Sequence, residues 1–177
     1  MILGLDISTS ITGFTILDSR GKIIENDVWD TRKYKDFFDK AEAVREGVSK
    51  IHKQYGEQIE HIYIEQSLQT FRSGFSSAKT LSSLSRFNGI VSWLAYSLFQ
   101  IKPEYIAATS ARKLCGIKIP RGEKAKQVVL KFLLDNEPAF VIDYTRHGNP
   151  KPGSYDRADS IIIAKAGAIC EVKKLES

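Results

Sequence analysis

The sequence changes its hydrophobic period near residue 36, and that change limits the folds open to it. Before that point the apolar residues fall in short runs at 1–7, 12–17 (TGFTIL) and 22–29, with the turn Asp18-Ser19-Arg20-Gly21 between the last two. Short apolar runs split by a turn whose glycine can take positive φ read as a hairpin-rich β unit. From 36 to 55 the spacing becomes helical. Phe37, Ala41, Val44, Val48, Ile51 and Tyr55 recur at three- and four-residue steps as one stripe, and Gly56 marks its end. The segment 61–65 (HIYIE) is a compact strand, and 76–100 a long helix with Leu81, Leu84, Ile90, Val91, Leu94 and Leu98 apolar. A further strand is expected at 105–108, then a helix ARKLC capped by Thr109 or Ser110 and ended by Gly116. Residues 122–135 are amphipathic, with Val128, Val129, Phe132 and Leu133 facing inward. The stretch 136–154 holds Pro138, Gly148, Pro150, Pro152 and Gly153 and reads as loop, with a short strand at 139–142. A last helix runs from about 156 to 173. Strands first and strand–helix alternation afterwards predict an α/β sandwich on a mixed sheet. Its 177 residues fit a single domain, 1–177, large enough to bury its own core.

Two cysteines, Cys115 and Cys170, stand far apart with no CxxC or Cys/His cluster. That argues against structural zinc or a disulfide framework and suits a reducing cytoplasm. No apolar run reaches the roughly 18 residues that span a bilayer. The start MILGLDIS lacks the basic beginning and long apolar stretch of a signal peptide, and reads as a strand. The formal net charge of +5 fits a polyanionic partner, since phosphate contacts release condensed counterions. Many small basic proteins have no such partner, so the placement of the acids matters more.

Four acids stand at element ends. Asp6 closes the first strand before a Ser/Thr-rich turn, and Glu65 closes HIYIE. Asp156 and Asp159 open the last helix at i and i+3 and so project from one side. If the two strands are neighbours and the helix starts beside them, the carboxylates converge. Converging carboxylates raise one another's pKa, and a hard divalent cation relieves this. Oxygen-only ligands favour magnesium, with manganese able to substitute. Two such ions can activate a water and stabilise the leaving oxygen of a phosphodiester. Each acid also has a plainer reading: Asp6 as the start of an Asx turn, Glu65 as a solvated strand end, Asp156 and Asp159 as first-turn acids complementing the helix dipole.

These residues resemble the RuvC-type Holliday-junction resolvases of the RNase H-like superfamily. ILGLDISTSITGFTIL is similar to that family's first strand and hairpin, IYIEQSL to its second motif, and DRADSIIIAKAGA to its last. IAATSARKLCGIKIPRGEKAKQVV is similar to the segment that leads to a lysine-bearing helix start. The four occur in the family's order over most of the chain. The resemblance implies an RNase H-like mixed five-stranded sheet flanked by helices, a homodimer, magnesium, and paired symmetric nicks in a four-way DNA junction. It implies that Asp6, Glu65, Asp156 and Asp159 are the metal-binding acids and that Lys124 lies near the scissile phosphate. It also implies a cytoplasmic, nucleoid-associated protein, or one of the host cytoplasm if viral. Two departures stand out: Leu68 replaces an aromatic expected to stack on junction bases, and the loop 136–154 is long.

The segment 69–79 (QTFRSGFSSAK) interleaves Phe71 and Phe75 with Arg72 and Lys79. Aromatics there would stack on unpaired bases while cations hold phosphates; alternatively the phenylalanines start the core face of the long helix. Lys113, Lys118, Arg121, Lys124 and Lys126 form a second basic cluster, read either as a solvated face or, for Lys118, Arg121 and Lys124, as phosphate contacts. Arg146, His147 and Lys151 lie in the long loop, where a histidine is ordinarily just solvated. Small residues Ser82, Ser83, Ser85, Gly89 and Ser92 on helix 76–100 would permit close approach of a second copy, or simply line a crossover helix. Three other functions fit parts of the pattern. They are an RNase H-like nuclease for another branched DNA or structured RNA, a catalytically idle junction binder, and half of a sugar-kinase-like ATPase. The last needs two lobes that 177 residues cannot hold.

Overall fold

Period-two alternation along the central strands builds a sheet with two buried faces. The computed structural model describes residues 1–66 and 78–176. Its strands are β1 (Ile2–Asp6), β2 (Ile11–Leu17), β3 (Ile23–Asp30), β4 (His61–Glu65) and β5 (Glu104–Ile106), in the order β3-β2-β1-β4-β5. The first three form an antiparallel meander; β4 lies parallel to β1, and β5 parallel to β4. The mixed five-stranded sheet is therefore the one expected. Successive side chains of a strand point to opposite faces. Leu3, Leu5, Ile62 and Ile64 enter one core with Phe14 and Ile16, whereas Ile2, Leu17, Tyr63 and Ile106 enter the other.

Helices cover both faces. α1 (Phe37–Tyr55) and α2 (Ala78–Phe99) close the first with Val44, Val48 and Ile51, and with Phe87, Val91 and Ala95. α3 (Ala108–Leu114), α4 (Ala125–Asn136) and α5 (Ser154–Leu175) close the second, with α5 lying against the sheet. Each large aliphatic side chain sealed between these layers stabilises the fold by about 1.5–3 kcal/mol before entropy is counted. The α1 stripe reads as expected: its N-cap, Asp36, accepts from the backbone N–H groups of Phe38 and Asp39.

Small residues let α5 approach closely. A Cβ on Gly4 of β1 would lie 2.6 Å from the Ala164 Cβ, and one on Gly167 would run into the ring of Tyr63. The chain thus spends two glycines on a single helix–sheet contact.

Several boundaries move. The third-last helix starts at Ala108 with Ala107 as its N-cap and no side-chain cap, so Thr109 and Ser110 lie inside its first turn. Starting the helix so soon after β5 shortens that strand to three residues. Gly116 does end α3 with φ +73, whereas Gly56 ends α1 in right-handed geometry, φ −53. α4 begins at Ala125, later than the sequence spacing implied. Residues 139–142 form no strand; Phe140 and Ile142 are buried in the second core from a loop, and the loop's one ladder contact is the isolated bridge of Tyr144 with Pro150. Among the described residues no helix is long and apolar enough to cross a membrane.

Replacing Gly4 by Ala should cost about 1–3 kcal/mol by overpacking against α5. Urea unfolding is the check, and an unchanged midpoint would contradict the close contact.

Candidate active site

Strand polarity brings two acids together. β1 and β4 run parallel with Leu5 opposite Ile64, so the next residues, Asp6 and Glu65, end the two strands side by side. Because Leu5 and Ile64 face the α1/α2 core, alternation turns both acids towards the face that α5 covers. The first turns of α5 carry Asp156 and Asp159, one helical turn apart. Backbone packing fixes that start. Gly13 of β2, the ladder partner of Asp6, runs so close beneath the Asp156 carbonyl that no side chain fits there.

A polar network anchors the same turn from behind. The Asn26 side-chain amide on β3 donates to the carbonyl of Arg157 at 3.1 Å and to Thr15 Oγ1 at 2.9 Å. In return Arg157 Nε donates to Asn26 Oδ1 at 2.9 Å, and its Nη1 reaches the Val141 carbonyl at 3.1 Å. The hydroxyls of Thr15 and Ser160 meet at 2.8 Å in full burial. Arg157 thus stands between the two acids in sequence but points away from them, tying α5 to the sheet and to the loop before it.

The four carboxylates act on one another. Burial first, then Glu65 and Asp159, holds the Asp6 carboxyl well above the usual carboxylate range. Burial and then Asp159 push Glu65 up to about 7. Asp156 and Asp159 are raised as well, chiefly by burial. Such shifts mark a site short of positive charge. The cation that answers them is Lys126. Its Nζ lies 3.6 Å from Asp159 Oδ2, and it is the largest positive influence on all four acids. Burial pulls the lysine's own pKa down, but the acids, Asp159 foremost, carry it above the ordinary value.

Four hard oxygen donors, answered chiefly by Lys126 with smaller contributions from Arg112 and Arg32, fit a magnesium- or manganese-sized ion by chemistry. Among the described residues no three carboxylate, thiol or imidazole groups stand as a ready-made metal cage. The acids share an electrostatic field, with Lys126 in it.

The basic residues sort differently from the sequence reading. Lys124 is exposed and occupies the N-cap position of α4, one residue before the helix. Lys126, two residues on, begins the stripe that continues through Val129, Leu130 and Leu133, all buried. A lysine at the head of a buried stripe emerges where the seam ends, here over the acids. That phase was readable once α4 was known to start at Ala125. Arg112 on α3 was also missed as a site residue, although its charge reaches Glu65 and Asp159. It lines a 240 Å³ concavity with Lys113, Lys118 and Ile119. Lys118 and Arg121 are exposed in the α3–α4 connection, and Lys79 is exposed at the start of α2. Leu68, Phe71, Arg72 and Phe75 lie outside the described residues. His147 is exposed and accepts from Arg146 Nε at 3.0 Å.

The chain matches no protein-family model and no curated protein. Solved structures do match it. RuvC of T. thermophilus in complex with Holliday junction substrate aligns with a TM-score of 0.68 at 14% identity, covering 97% of this chain and 94% of that one. A second Thermus thermophilus RuvC structure gives 0.62 at 16% identity, with 98% and 96% covered. The yeast mitochondrial Holliday junction resolvase Ydc2 gives 0.56 at 18% identity, with 99% and 80% covered. At these identities the likeness speaks for architecture: the chain has the RNase H-like fold of the RuvC structures, over nearly its whole length.

Proposed function

We propose that this chain is a divalent-metal-dependent endonuclease that resolves four-way DNA junctions by paired nicks. The observation that carries the reading is the mutual field of Asp6, Glu65, Asp156 and Asp159 at the ends of parallel neighbours β1 and β4, beneath the start of α5. The fold shared with a RuvC bound to a Holliday junction supports the choice of substrate. In this reading the four acids hold magnesium or manganese. The bound ion would activate water and stabilise the leaving oxygen of the phosphodiester.

The chain's own residues do the rest. Asn26, Arg157 and Gly13 keep the first turn of α5 pressed on the sheet, so the acids need no reorganisation when the substrate arrives. Exposed Lys118, Arg121 and Lys124, with Arg112 whose charge reaches Glu65 and Asp159, supply phosphate contacts that position a DNA strand without reading its sequence. Phe71, Arg72, Phe75 and Lys79 belong to the segment we assign to the junction centre.

Paired nicks require two sites related by two-fold symmetry, and we assign the dimer contact to the outer side of α2. Trp93 is 63% exposed there and Tyr96 38%, in line with Gly89 and Ser85. An exposed tryptophan beside small residues on one helix side is the pattern of a self-complementary contact. Ser92 is not part of it; it turns inward and donates to the Asn88 carbonyl.

Purified protein with magnesium should cut a synthetic four-way junction at paired positions and leave linear duplex, flaps and RNA hybrids largely uncut. Asp6→Asn or Glu65→Gln should lower cutting at least 100-fold while junction affinity stays within a few-fold, and Trp93→Glu should leave unpaired nicks. Full activity in either acid variant would refute the metal assignment.

The raised pKa of Glu65 also sets a pH dependence. A carboxyl whose folded pKa exceeds its unfolded value favours folding while protonated, and that contribution is lost as pH rises. In a chelator, the melting temperature should therefore fall between about pH 4.5 and 7, as Glu65 ionises in its buried setting and beside Asp159. Glu65→Gln should flatten that slope, and added magnesium should reverse it. A slope identical in the variant would contradict the repulsion.

A further inference from the structure

We propose that the turn joining β3 to α1, with Arg32, Lys33 and Lys35, is a second phosphate clamp for the DNA strand, on the flank of the acids opposite the cations that follow β5. This assignment rests on the nuclease reading above and gives its substrate a fixed path over the end of the sheet.

Sheet topology carries it. Asp6 pairs with Gly13 and Gly13 with Val28, Asp6 stands beside Glu65, and Glu65 pairs with Ile106. One row therefore crosses the sheet as Val28, Gly13, Asp6, Glu65, Ile106. β3, β1, β4 and β5 share one direction, so all four end at this edge. The two acids hold the middle of the row, and the chain leaves both flanks through basic residues. After β5 come Arg112, Lys113 and Lys118 around one concavity; after β3 come Arg32, Lys33 and Lys35, all exposed. β3 lies two strands from β1, about 10 Å, and β5 one strand from β4, about 5 Å. A DNA strand covers such spans in a few nucleotides, at about 3.4 Å each. The charges divide the same way: that of Arg32 reaches Asp156, and that of Arg112 reaches Glu65 and Asp159.

The turn is held in place by the one that follows Asp6. Thr31 is fully buried, and its N–H and its hydroxyl both donate to the Ser10 carbonyl, at 2.9 and 3.1 Å. Lys40 Nζ donates to the Thr9 carbonyl at 2.7 Å. Asp30 then orients Arg32. Its carboxylate accepts from Nε at 2.9 Å and from Nη2 at 2.6 Å, and Nη1 has no acceptor among the described residues. A guanidinium held by one edge presents the other with little freedom left to lose. Lys33 Nζ lies 4.8 Å from the centre of the Tyr34 ring, and neither Lys33 nor Lys35 forms an ion pair among the described residues. Asp30, Arg32 and Lys33 border an open concavity of about 560 Å³. An oriented arginine, unpaired lysines and an open recess suit a phosphodiester backbone, which offers charge without sequence.

Counterion release separates a phosphate contact from a solvated turn. In a chelator, Lys33→Gln/Lys35→Gln protein should bind a four-way junction about tenfold more weakly, and its slope of log affinity against log salt should be shallower by about 2. Arg32→Gln should make the slope shallower by about 1. The lysine pair leaves the Arg32–Asp30 bridge intact, so it decides the matter if Arg32→Gln folds poorly. Lys53→Gln/Lys173→Gln removes two charges from the last turns of α1 and α5 and should leave the slope as in the parent. Uncharged methylphosphonates, placed singly through the nucleotides flanking the cut, should include one position that weakens the parent but not the Lys33/Lys35 variant. With a parent that binds and cuts normally, three results would overturn the clamp. They are an unchanged slope in the Lys33/Lys35 variant, an equal change in Lys53→Gln/Lys173→Gln, or methylphosphonates that weaken parent and variant alike at every position. A parent that neither binds nor cuts the junction would overturn the nuclease reading itself.

Discussion

Like charges do not gather unless something makes them, and the acid cluster exists because backbone geometry leaves it nowhere else to go. Parallel pairing of β1 with β4 sets Asp6 beside Glu65, and strand alternation turns both to the side where α5 begins. The close fit at Gly4, Gly13 and Gly167 presses α5 onto the sheet, and from its first turns the charges of Asp156 and Asp159 reach Asp6. The cost of assembling four carboxylates is met by two well-packed cores, and it shows in the raised proton affinity of Asp6 and Glu65. Stability elsewhere offsets the cost of holding these carboxylates buried beside one another.

The rest of the molecule reads as support for that deficit. Asn26 and Arg157 brace the turn, and Asn88 of α2 donates to the Glu65 carbonyl at 3.1 Å, fixing the end of β4 from the opposite core. Cations stand at graded distances, with Lys126 among the acids, Arg112 within their field, and Lys118 and Arg121 out in solvent. A polyanion drawn to the outer charges would arrive where the inner ones are arranged.

Much of this was legible in the sequence, for a physical reason. Strands such as ILGLD and HIYIE are apolar on both faces because helices cover both, so an acid at their ends stands out. The α1 stripe and its Asp36 cap are local features, written within twenty residues. What was not legible depended on tertiary contact. Phe140 and Ile142 looked like a strand because they are buried, but they are buried from a loop. Thr109 and Ser110 are better caps than Ala107, yet the end of β5 decided where α3 starts. Lys126 meets Asp159, two residues past Lys124, because the phase of α4 depends on a start that propensity alone does not set. Asn26 and Arg157 lie 131 residues apart, and no local pattern announces their pairing.

The account stands on one spatial claim: a divalent ion bound by these four acids together. A crystal structure of the protein with Mn²⁺, read by anomalous scattering at the manganese edge, addresses it directly. The account predicts a peak within bonding distance of carboxylate oxygens from Asp6 and from the first turns of α5, with Glu65 beside it. A peak elsewhere, or no peak at saturating Mn²⁺ with the acids still facing Lys126, would contradict it.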